Sequence, residues 1–388
     1  MISITSFNAN GLRNLLKLEQ VLFSCNSDII CLQETCWTDS IIDNVKTKWR
    51  DLIYVNNYSE RSCGVAILIK KGVVENVTHI MSDSEGRVLV IGFEYQGTMF
   101  NLINAYAPNA EMERKVFFGQ LQPLGVGNCI YVGDFNLKCC RMDAVRDAKY
   151  KYDSSRQVFL KMMKDNDLID KWREENPSTR GFSRRQVVMG KLKQSRIDLC
   201  LVKRDIAKYI RQIQYKFTSL SDHAMLSFKI VLKDERERGG GIWCLNSSLL
   251  SEGSYREVIR KCIQSEVDNE MMNSNASAWW EMLKKKIKSL SIRYAKQSNF
   301  RKKQEENELR EKLLWEIESA GNDANHNVEN YLRIRGELDT IEKNKCMGAI
   351  VRSRAQYAVE GEKCTSFFLG LEKSKQRRNY IHELEKKW

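Results

Sequence analysis

Short apolar runs alternate with helically spaced apolar residues over the first 233 residues of this 388-residue chain. The runs that predict strands are ISITSFN, DIICLQE, GVAILIK, VLVIGFEY, MFNLINAYAP, CIYVGDFN, RIDLCLV and AMLSFKIVL. Residues 12–23, 113–121 and 157–168 repeat apolar side chains at three or four residues, which predicts helices. Strands this apolar are buried on one or both faces and covered by helices, so the pattern predicts an α/β layered domain.

A charged and glycine-rich stretch, KDERERGGG at 233–241, interrupts this pattern. Charges that cannot be buried, followed by three glycines, are typical of a linker. We therefore predict a domain at 1–233, a linker at 234–241 and a separate helical region at 242–388. The last region has no proline, and it predicts long helices between 253 and 360 with a break at 321–330. A coiled coil is one arrangement expected for such helices.

Net charge is +13, and most of the excess lies in one segment. Residues 151–233 contain 19 Lys and Arg against 9 Asp and Glu, whereas residues 1–150 contain 15 against 16. A basic surface suits a polyanion, although a solvated basic face is the alternative. Residues 284–286 and 301–303 are further basic clusters, interpreted as nucleic-acid or nuclear-import segments or as solvated helix faces.

The start of the chain alternates like a strand and lacks the regions of a signal peptide. No apolar run approaches the roughly 18 residues that cross a bilayer. We therefore expect a nuclear, intracellular protein that is neither secreted nor membrane-bound, with its twelve cysteines reduced.

Polar residues follow several predicted strands at the point where each strand meets a loop. Each of them alone has an ordinary explanation as a turn or a solvated loop. Together they indicate a site, because sites are built where strand ends meet loops. The set comprises Asn8, Gln33-Glu34, Tyr106, Gly133-Asp134-Phe135-Asn136, Ser195-Arg196-Ile197-Asp198 and Ser221-Asp222-His223.

The chemistry of these residues favours a hard divalent cation and an activated water. Glu34 follows an apolar run directly and is the best candidate ligand, since Mg²⁺ prefers oxygen and takes only one or two protein carboxylates. Asp134 and Asn136 alternate, so both can act on one water, although such pairs also form Asx turns. Asp198 is a costly half-buried carboxylate unless it is paired, and His223 is its natural partner.

In this order the motifs resemble those of the endonuclease/exonuclease/phosphatase superfamily. The resemblance implies an α/β (α+β) four-layered sandwich, two packed β-sheets with helices outside, followed here by the mostly helical region. It implies Asn8 as a site asparagine, Glu34 as the Mg²⁺ ligand, Tyr106 beside the phosphate, Asp134 and Asn136 on the attacking water, Asp198 as the partner of His223, Asp222 on the metal or water side, and His223 on the scissile phosphate. Asn10, where repair members often have aspartate, is expected with Asp222 to help hold the metal.

The motifs SRID, AYAPN and SDHAM are most similar to those of the endonuclease domain of LINE-type retrotransposon proteins. Residues 361–373, GEKCTSFFLGLEK, resemble the segment before the reverse transcriptase, so we expect a truncated reading frame of such an element. Arg184 stands where relatives usually have an aromatic residue, which suggests that the DNA-contacting loop after it recognises its target differently. The residues expected to contact DNA are Ser183, Arg184, Arg185, Ser195 and Arg196.

The sequence thus predicts a Mg²⁺-dependent endonuclease, with Mn²⁺ as the second candidate metal, that nicks double-stranded DNA as in LINE target-site cleavage. An apurinic/apyrimidinic repair endonuclease is the first alternative. A phosphatase acting on small phosphoesters and a nucleic-acid-binding remnant without turnover are the others. RNA is an additional expected partner of residues 242–388, and deletion of those residues is expected to leave nicking intact.

Overall fold

A computed structural model describes residues 1–49, 51–59, 63–146, 150–232, 243, 245–267, 275–323 and 326–354. The strands are β1 (Ile2–Asn8), β2 (Ile29–Gln33), β3 (Leu52–Asn56), β4 (Val65–Ile69), β5 (Glu75–Ser82), β6 (Val88–Tyr95), β7 (Thr98–Tyr106), β8 (Cys129–Asp134), β9 (Leu168–Asp170), β10 (Arg184–Val188), β11 (Lys191–Ser195), β12 (Asp198–Lys203), β13 (Ile210–Lys216) and β14 (Met225–Ile230). The α-helices are α1 (Leu15–Cys25), α2 (Asp39–Trp49), α3 (Glu111–Leu121), α4 (Ser154–Asp165), α5 (Lys171–Glu175), α6 (Gly253–Val267), α7 (Ala276–Asn322) and α8 (Glu329–Arg354). Short 3₁₀ helices occupy Gln122–Leu124, Arg141–Asp143, Arg204–Tyr209 and Ser247–Ser251.

Two six-stranded sheets and one hairpin contain these strands. The first sheet has the order β13-β14-β1-β2-β4-β3, the second has the order β5-β6-β7-β8-β12-β9, and β10 pairs with β11. Each large sheet has one parallel pair, β1 with β2 and β7 with β8, and antiparallel neighbours elsewhere. The carboxyl ends of the two parallel pairs are therefore the places where strand-end residues gather.

Alternation along β2 shows how the layers form. Ile29 and Cys31 face a core shared by both sheets, whereas Ile30 and Leu32 face a core that contains α1 side chains such as Leu18. The other sheet is covered in the same way by apolar residues of α3 and α4. Because β2 is buried on both faces, its first four residues form a continuous apolar run. The predicted four-layered sandwich is confirmed.

The strands that the hydrophobic pattern did not predict are more exposed. Strand β5 has no buried residue, and β3 and β13 lie at the edges of their sheets. An edge strand faces solvent on one side and lacks a long apolar run, so periodicity alone does not reveal it.

The predicted helical character of the carboxy-terminal region is confirmed for the described residues, and helix α7 ends at Asn322 within the predicted break. No helix of the described part of the chain is long and apolar enough to span a bilayer. The predicted linker at 234–241 lies outside the described residues.

The described chain forms two compact units, and they do not coincide with the predicted domains. The first combines the residues up to 232 with those from Leu313 onward, and the second ends at Lys312. Within the first unit, the Gln194 amide donates to the carbonyl oxygen of Ile317 (2.8 Å). The end of α7 and helix α8 therefore belong structurally with the sandwich.

Candidate active site

The strand-end residues meet because of the pairing registers. Asn8 ends β1 beside Gln33, the last residue of β2, and Tyr106 ends β7 beside Asp134, the last residue of β8. Asp198 begins β12 directly opposite Asp134 in an antiparallel pair. Five strands thus bring polar end residues to one edge of the sandwich.

Asn8 connects the two sheets at this edge. Its Nδ2 atom donates to Glu34 Oε1 (2.8 Å) and to Asp134 Oδ2 (2.9 Å), and the side chain is fully buried. Since one amide nitrogen lies between the two carboxylates, Glu34 and Asp134 are held close together. Two neighbouring negative charges create a potential that favours a cation.

His223 lies between two aspartates. Its Nδ1 atom is 2.9 Å from Asp198 Oδ2, and its Nε2 atom is 3.8 Å from Asp134 Oδ2. Burial alone would lower the pKa of His223, but the carboxylates of Asp198 and Asp134 raise it to about 9. The imidazole is therefore a cation at neutral pH, with its ring oriented by Asp198.

Asp134 is almost completely buried, and burial together with the nearby Asp198 carboxylate raises its pKa. The hydrogen bonds from Asn136 N (2.8 Å) and from Asn8 oppose this rise. A carboxylate with a raised pKa is a better proton acceptor at neutral pH than an ordinary aspartate. The geometry thus supplies one basic carboxylate beside one cationic imidazole.

Two Asx turns shape the loops that leave β1 and β8. Asn10 N donates to Asn8 Oδ1 (3.0 Å), and Asn136 N donates to Asp134 Oδ1 in the same way. Asn10, Asn136 and Glu34 all have left-handed backbone conformations, with φ of 49°, 47° and 51°. For Glu34 this conformation is uncommon and marks local strain at the site. The turn interpretation of Asp134-Phe-Asn136 is therefore observed, and it is compatible with the predicted site role of the two side chains.

Asp222 forms a second carboxylate position beside Asn10. Its Oδ1 accepts from Asn10 Nδ2 (3.2 Å), and its Oδ2 accepts from Arg184 Nε (3.1 Å). Although burial opposes it, the charges of His223 and Arg184 lower the pKa of Asp222. Asp222 is thus an anion over the whole neutral range.

Tyr106 and Lys17 complete the charged surroundings of Glu34. Burial, and the Glu34 carboxylate to which its hydroxyl is hydrogen-bonded, raise the pKa of Tyr106, which keeps the phenol protonated. The Lys17 ammonium donates to the carbonyl oxygens of Ala9 (2.6 Å) and Asn10 (3.0 Å). Burial lowers the pKa of Lys17, and the charges of Asp222 and Glu34 oppose this change.

The donor set fits a hard divalent cation through its oxygens. Glu34 is held by Asn8 and Tyr106, and Asp222 is held by Asn10, so both carboxylates are preorganised. Asp134, Asp198 and His223 also form a group whose ligand atoms lie within 4.8 Å of one another. That group is the poorer metal site, because a protonated imidazole has no free lone pair.

The predicted DNA-contacting residues separate into accessible and buried ones. Arg184 is partly exposed beside Asp222, and Ser195 is partly exposed opposite it in the β10–β11 hairpin. Ser183 is fully buried, and its hydroxyl accepts hydrogen bonds from the backbone amides of Ile197 and Asp198 (3.0 Å each). In this structure Ser183 therefore supports Asp198.

The structure contradicts the expectation of DNA contact for Arg185 and Arg196. The Arg185 guanidinium is buried over the ring of Phe217. Arg196 is fully buried and is paired with Asp143 (2.7 Å) and Asp170 (2.6 Å). Neither guanidinium can reach a phosphate without leaving its partners, so both are core residues.

Sequence reasoning missed a polar bridge beneath the site. Gln33 Nε2 donates to Asn104 Oδ1 (2.6 Å), and Asn104 Nδ2 donates to the carbonyl oxygens of Leu32 and Ala66 (3.0 Å each). Both side chains are fully buried and join β7 to the opposite sheet. The available signal was Asn104, a polar residue between apolar neighbours near the end of β7. Such a buried residue needs partners, and only the fold identifies them.

Gly133 is required by the close pairing of β7 and β8. Its φ is 137°, and a Cβ atom there would overlap the carbonyl oxygen of Ala105. Only glycine allows this approach without strain. The glycine therefore sets the position of the following Asp134.

Comparison with known proteins gives matches of two kinds, to sequences and to folds. The family model described as "Endonuclease/Exonuclease/phosphatase family" matches residues 5–223. Over 389 aligned residues the chain is 28% identical to the "Transposon TX1 uncharacterized 149 kDa protein" of Xenopus laevis, a match that covers 98% of this chain and 30% of that protein. The chain thus spans about a third of the length of this relative.

The similar solved structures include a catalytic domain and an endonuclease domain. The catalytic domain of APE2 from Xenopus laevis has a TM-score of 0.50 at 19% identity, with 60% of this chain and 94% of that chain covered. The endonuclease domain of TRAS1, described as a telomere-specific non-LTR retrotransposon, has a TM-score of 0.45 at 16% identity, with 60% of this chain and 100% of that chain covered.

Proposed function

The chain belongs to the endonuclease/exonuclease/phosphatase family, and we propose that it is a Mg²⁺-dependent endonuclease that nicks one strand of double-stranded DNA. Membership confirms the superfamily resemblance and the prediction of a phosphoester-cleaving hydrolase. The similarity to a transposon protein agrees with the LINE-type resemblance and supports target-site cleavage as the biological role. Double-stranded DNA as substrate and Mg²⁺ as cofactor are the proposed refinements.

The observation that carries this proposal is the placement of His223 between Asp198 and Asp134. Cleavage of a phosphodiester by water needs a base for the water and positive charge beside the phosphate. Asp134 accepts the proton as the water oxygen bonds to phosphorus. His223, kept cationic and oriented by Asp198, faces the negative charge that develops on the phosphate oxygens. The bond to the 3′-oxygen breaks, and that oxygen takes a proton from solvent water and leaves as a 3′-hydroxyl.

Glu34, with Asp222 and Asn10, is the proposed holder of Mg²⁺, which when bound supplies Lewis-acid stabilisation of the phosphate. Asn8 fixes the Glu34 carboxylate, and the Tyr106 hydroxyl is kept protonated beside it. The proposed role of Asn136 is to orient the water, with its Nδ2 anchored on the carbonyl oxygen of Ala107 (2.9 Å).

DNA contact is proposed for the β10–β11 hairpin. Arg184 starts the hairpin beside the site, and Met189 at its tip is 97% exposed. The lysines at 191 and 193 are exposed on the returning strand. An exposed basic hairpin next to a phosphate site suits a duplex backbone and its groove. RNA binding by residues 242–388 and a nuclear location remain proposals that accompany the retrotransposon role.

The test is conversion of supercoiled plasmid to open circle by the full chain in Mg²⁺. We expect nicking by the wild type, loss with EDTA, and loss in Glu34→Ala and His223→Ala. Glu305→Ala, a surface substitution in the second unit that removes the same charge as Glu34→Ala, is the matched control and should nick normally. End analysis should find a 3′-hydroxyl.

A folded wild-type protein that does not nick intact plasmid would overturn the proposal. A second substrate, a duplex with one abasic site, distinguishes the repair alternative. Cleavage of that duplex at least about 10²-fold faster than of intact DNA, a difference of about 2.7 kcal/mol in barrier, would assign the chain to repair.

A further inference from the structure

One face of helix α8 contacts the loop that carries Asp222 and His223. The Arg335 guanidinium donates from Nη2 to the carbonyl oxygens of Ser219 (3.3 Å) and Ser221 (3.4 Å). Both hydrogen bonds are long. They are nevertheless strengthened by the positive charge of the donor, and a single guanidinium joins two carbonyl groups of the same loop. The loop is thereby tied to a helix more than a hundred residues later in the chain.

Two further hydrogen bonds lie on the same helix face. Thr218 Oγ1 donates to Glu342 Oε2 (3.2 Å), and the Ser219 hydroxyl donates to the Asp339 carboxylate. The three α8 residues that contact the loop are spaced by four and three positions, which places them on one side of the helix. Helix α8 therefore contacts residues 218–221 along about two turns.

Ser221 transmits this contact into the site. Its hydroxyl donates to the carbonyl oxygen of Asn8 (2.8 Å) and accepts from the backbone amide of His223 (3.1 Å). Asn8 in turn holds the Glu34 and Asp134 carboxylates. A displacement of the Ser221 backbone would thus move the imidazole relative to both aspartates.

The attachment of α8 itself does not depend on Arg335. Tyr331, Ile334 and Leu338 are buried on the same face, and farther along Cys346 and Ala349 pack with Phe23 of α1. Burial of these apolar side chains holds the helix without the Arg335 hydrogen bonds. Truncating Arg335 should therefore release the loop while the helix stays docked.

We propose that helix α8 is a positioning element of the active site and that Arg335 fixes the backbone that carries Asp222 and His223. This inference rests on the proposed nuclease function only for its catalytic readout. It revises the expectation that residues 242–388 are dispensable for nicking, because α8 lies within that region. Arg335 touches neither substrate nor metal; it acts through Ser219 and Ser221.

The experiment compares full-length Arg335→Ala, Arg335→Lys and Arg333→Ala with the wild type. Arg333 lies two residues from Arg335, on the opposite side of helix α8, and its exposed guanidinium pairs with Glu337 (2.6 Å), so Arg333→Ala is the matched control. With a duplex oligonucleotide, Arg335→Ala should lower kcat by roughly tenfold and change KM by less than about twofold, because geometry and not DNA contact is lost. Arg335→Lys, which keeps the charge, should recover part of kcat.

Hydrogen exchange of the backbone amides in 219–224 is the second readout and needs no substrate. Arg335→Ala should raise exchange in this segment by roughly tenfold, while Arg333→Ala and the strands of the sandwich stay at wild-type rates. If Arg335→Ala fails to fold, Arg335→Lys serves for both readouts with smaller shifts in the same direction.

The two readouts separate the two proposals. Unchanged exchange in a folded Arg335→Ala protein overturns the positioning role whatever the DNA assay gives. Faster exchange with unchanged kcat also overturns it, because the loop would then not control catalysis. A wild-type protein that never nicks DNA removes the proposed function, while the exchange comparison still decides whether α8 holds the loop.

Discussion

Two buried clusters of this protein combine a cation with aspartates, and the pKa of an aspartate is lowered in one cluster and raised in the other. Around Arg196, the carboxylates of Asp143 and Asp170 lie within 2.7 Å, and Arg173 adds a second guanidinium on Asp143 (2.8 Å). Around His223, two carboxylates share one imidazole. The first cluster is balanced in charge, and the second has an excess of negative charge.

The balance explains which cluster can do chemistry. Although burial opposes it, Arg196 lowers the pKa of Asp143, so this carboxylate stays ionised and inert. Burial and the neighbouring Asp198 instead raise the pKa of Asp134, and the aspartates raise that of His223. A structural cluster satisfies its charges internally, whereas an active site leaves groups that gain or lose protons near neutral pH.

The largest effect is expected from breaking the balanced cluster. Arg196→Met should lower the free energy of unfolding by about 3–5 kcal/mol, because Asp143 and Asp170 would be left as buried, undercompensated charges. Urea denaturation monitored by circular dichroism measures it. Arg204→Met removes a similar pair, Arg204 with Asp167, that is exposed (3.2 Å) and should change stability by less than about 1 kcal/mol. Equal effects of the two substitutions would contradict the assignment of Arg196 to the core.

Substitution in the unbalanced cluster should act on rate. His223→Ala should slow plasmid nicking by roughly 10²–10³-fold, because the cation facing the phosphate is lost. His79→Ala, an exposed histidine on β5, is the control and should nick at the wild-type rate. Near-normal nicking by folded His223→Ala would refute the role of the imidazole.

A smaller effect is expected at the support of Asp198. Ser183→Ala leaves the buried amides of Ile197 and Asp198 without their acceptor, which should cost about 1–3 kcal/mol of stability. We also expect nicking to slow roughly tenfold, because a poorly oriented His223 raises the activation barrier. A rise of about 1.4 kcal/mol corresponds to that factor. Ser183→Thr keeps the hydroxyl and should restore both. Failure of threonine to restore either quantity would show that the hydroxyl is not what matters.

The contributions of the two clusters to stability should also change with pH in opposite directions. The folded pKa of His223 is about 9 against an ordinary 6.5, so its contribution to stability is complete below 6.5 and is lost as pH rises through about 9. The raised pKa of Asp134 acts in the same direction, whereas the lowered pKa of Asp143 makes the Arg196 cluster lose stability in acid. Unfolding measured in EDTA for wild type and His223→Ala should therefore differ most below pH 6.5. A difference that grows between pH 7 and 9 would have the wrong sign.

Much of the site was predictable because its signals are local. Glu34, Asp134 and Asn136 each follow an apolar run, and the order of the motifs is visible without a structure. The SRID motif shows the limit of this reasoning: Asp198 faces the site, while Arg196, two residues earlier, is buried in the other cluster. Strict alternation would place these two residues on one face, but Arg196 lies between β11 and β12, where the period of two does not hold, and the sequence does not show this break.

The sequence by itself determined the layered α/β class, the strand ends and the polar residues placed there, because these depend on alternation over a few residues. Only the tertiary structure decided that Asn104 bridges the sheets, that Arg185 and Arg196 are core residues, and that α8 lies against the Ser219–Ser221 loop. These contacts join residues far apart in the chain. Their partners depend on the path of the whole backbone, which no local pattern encodes.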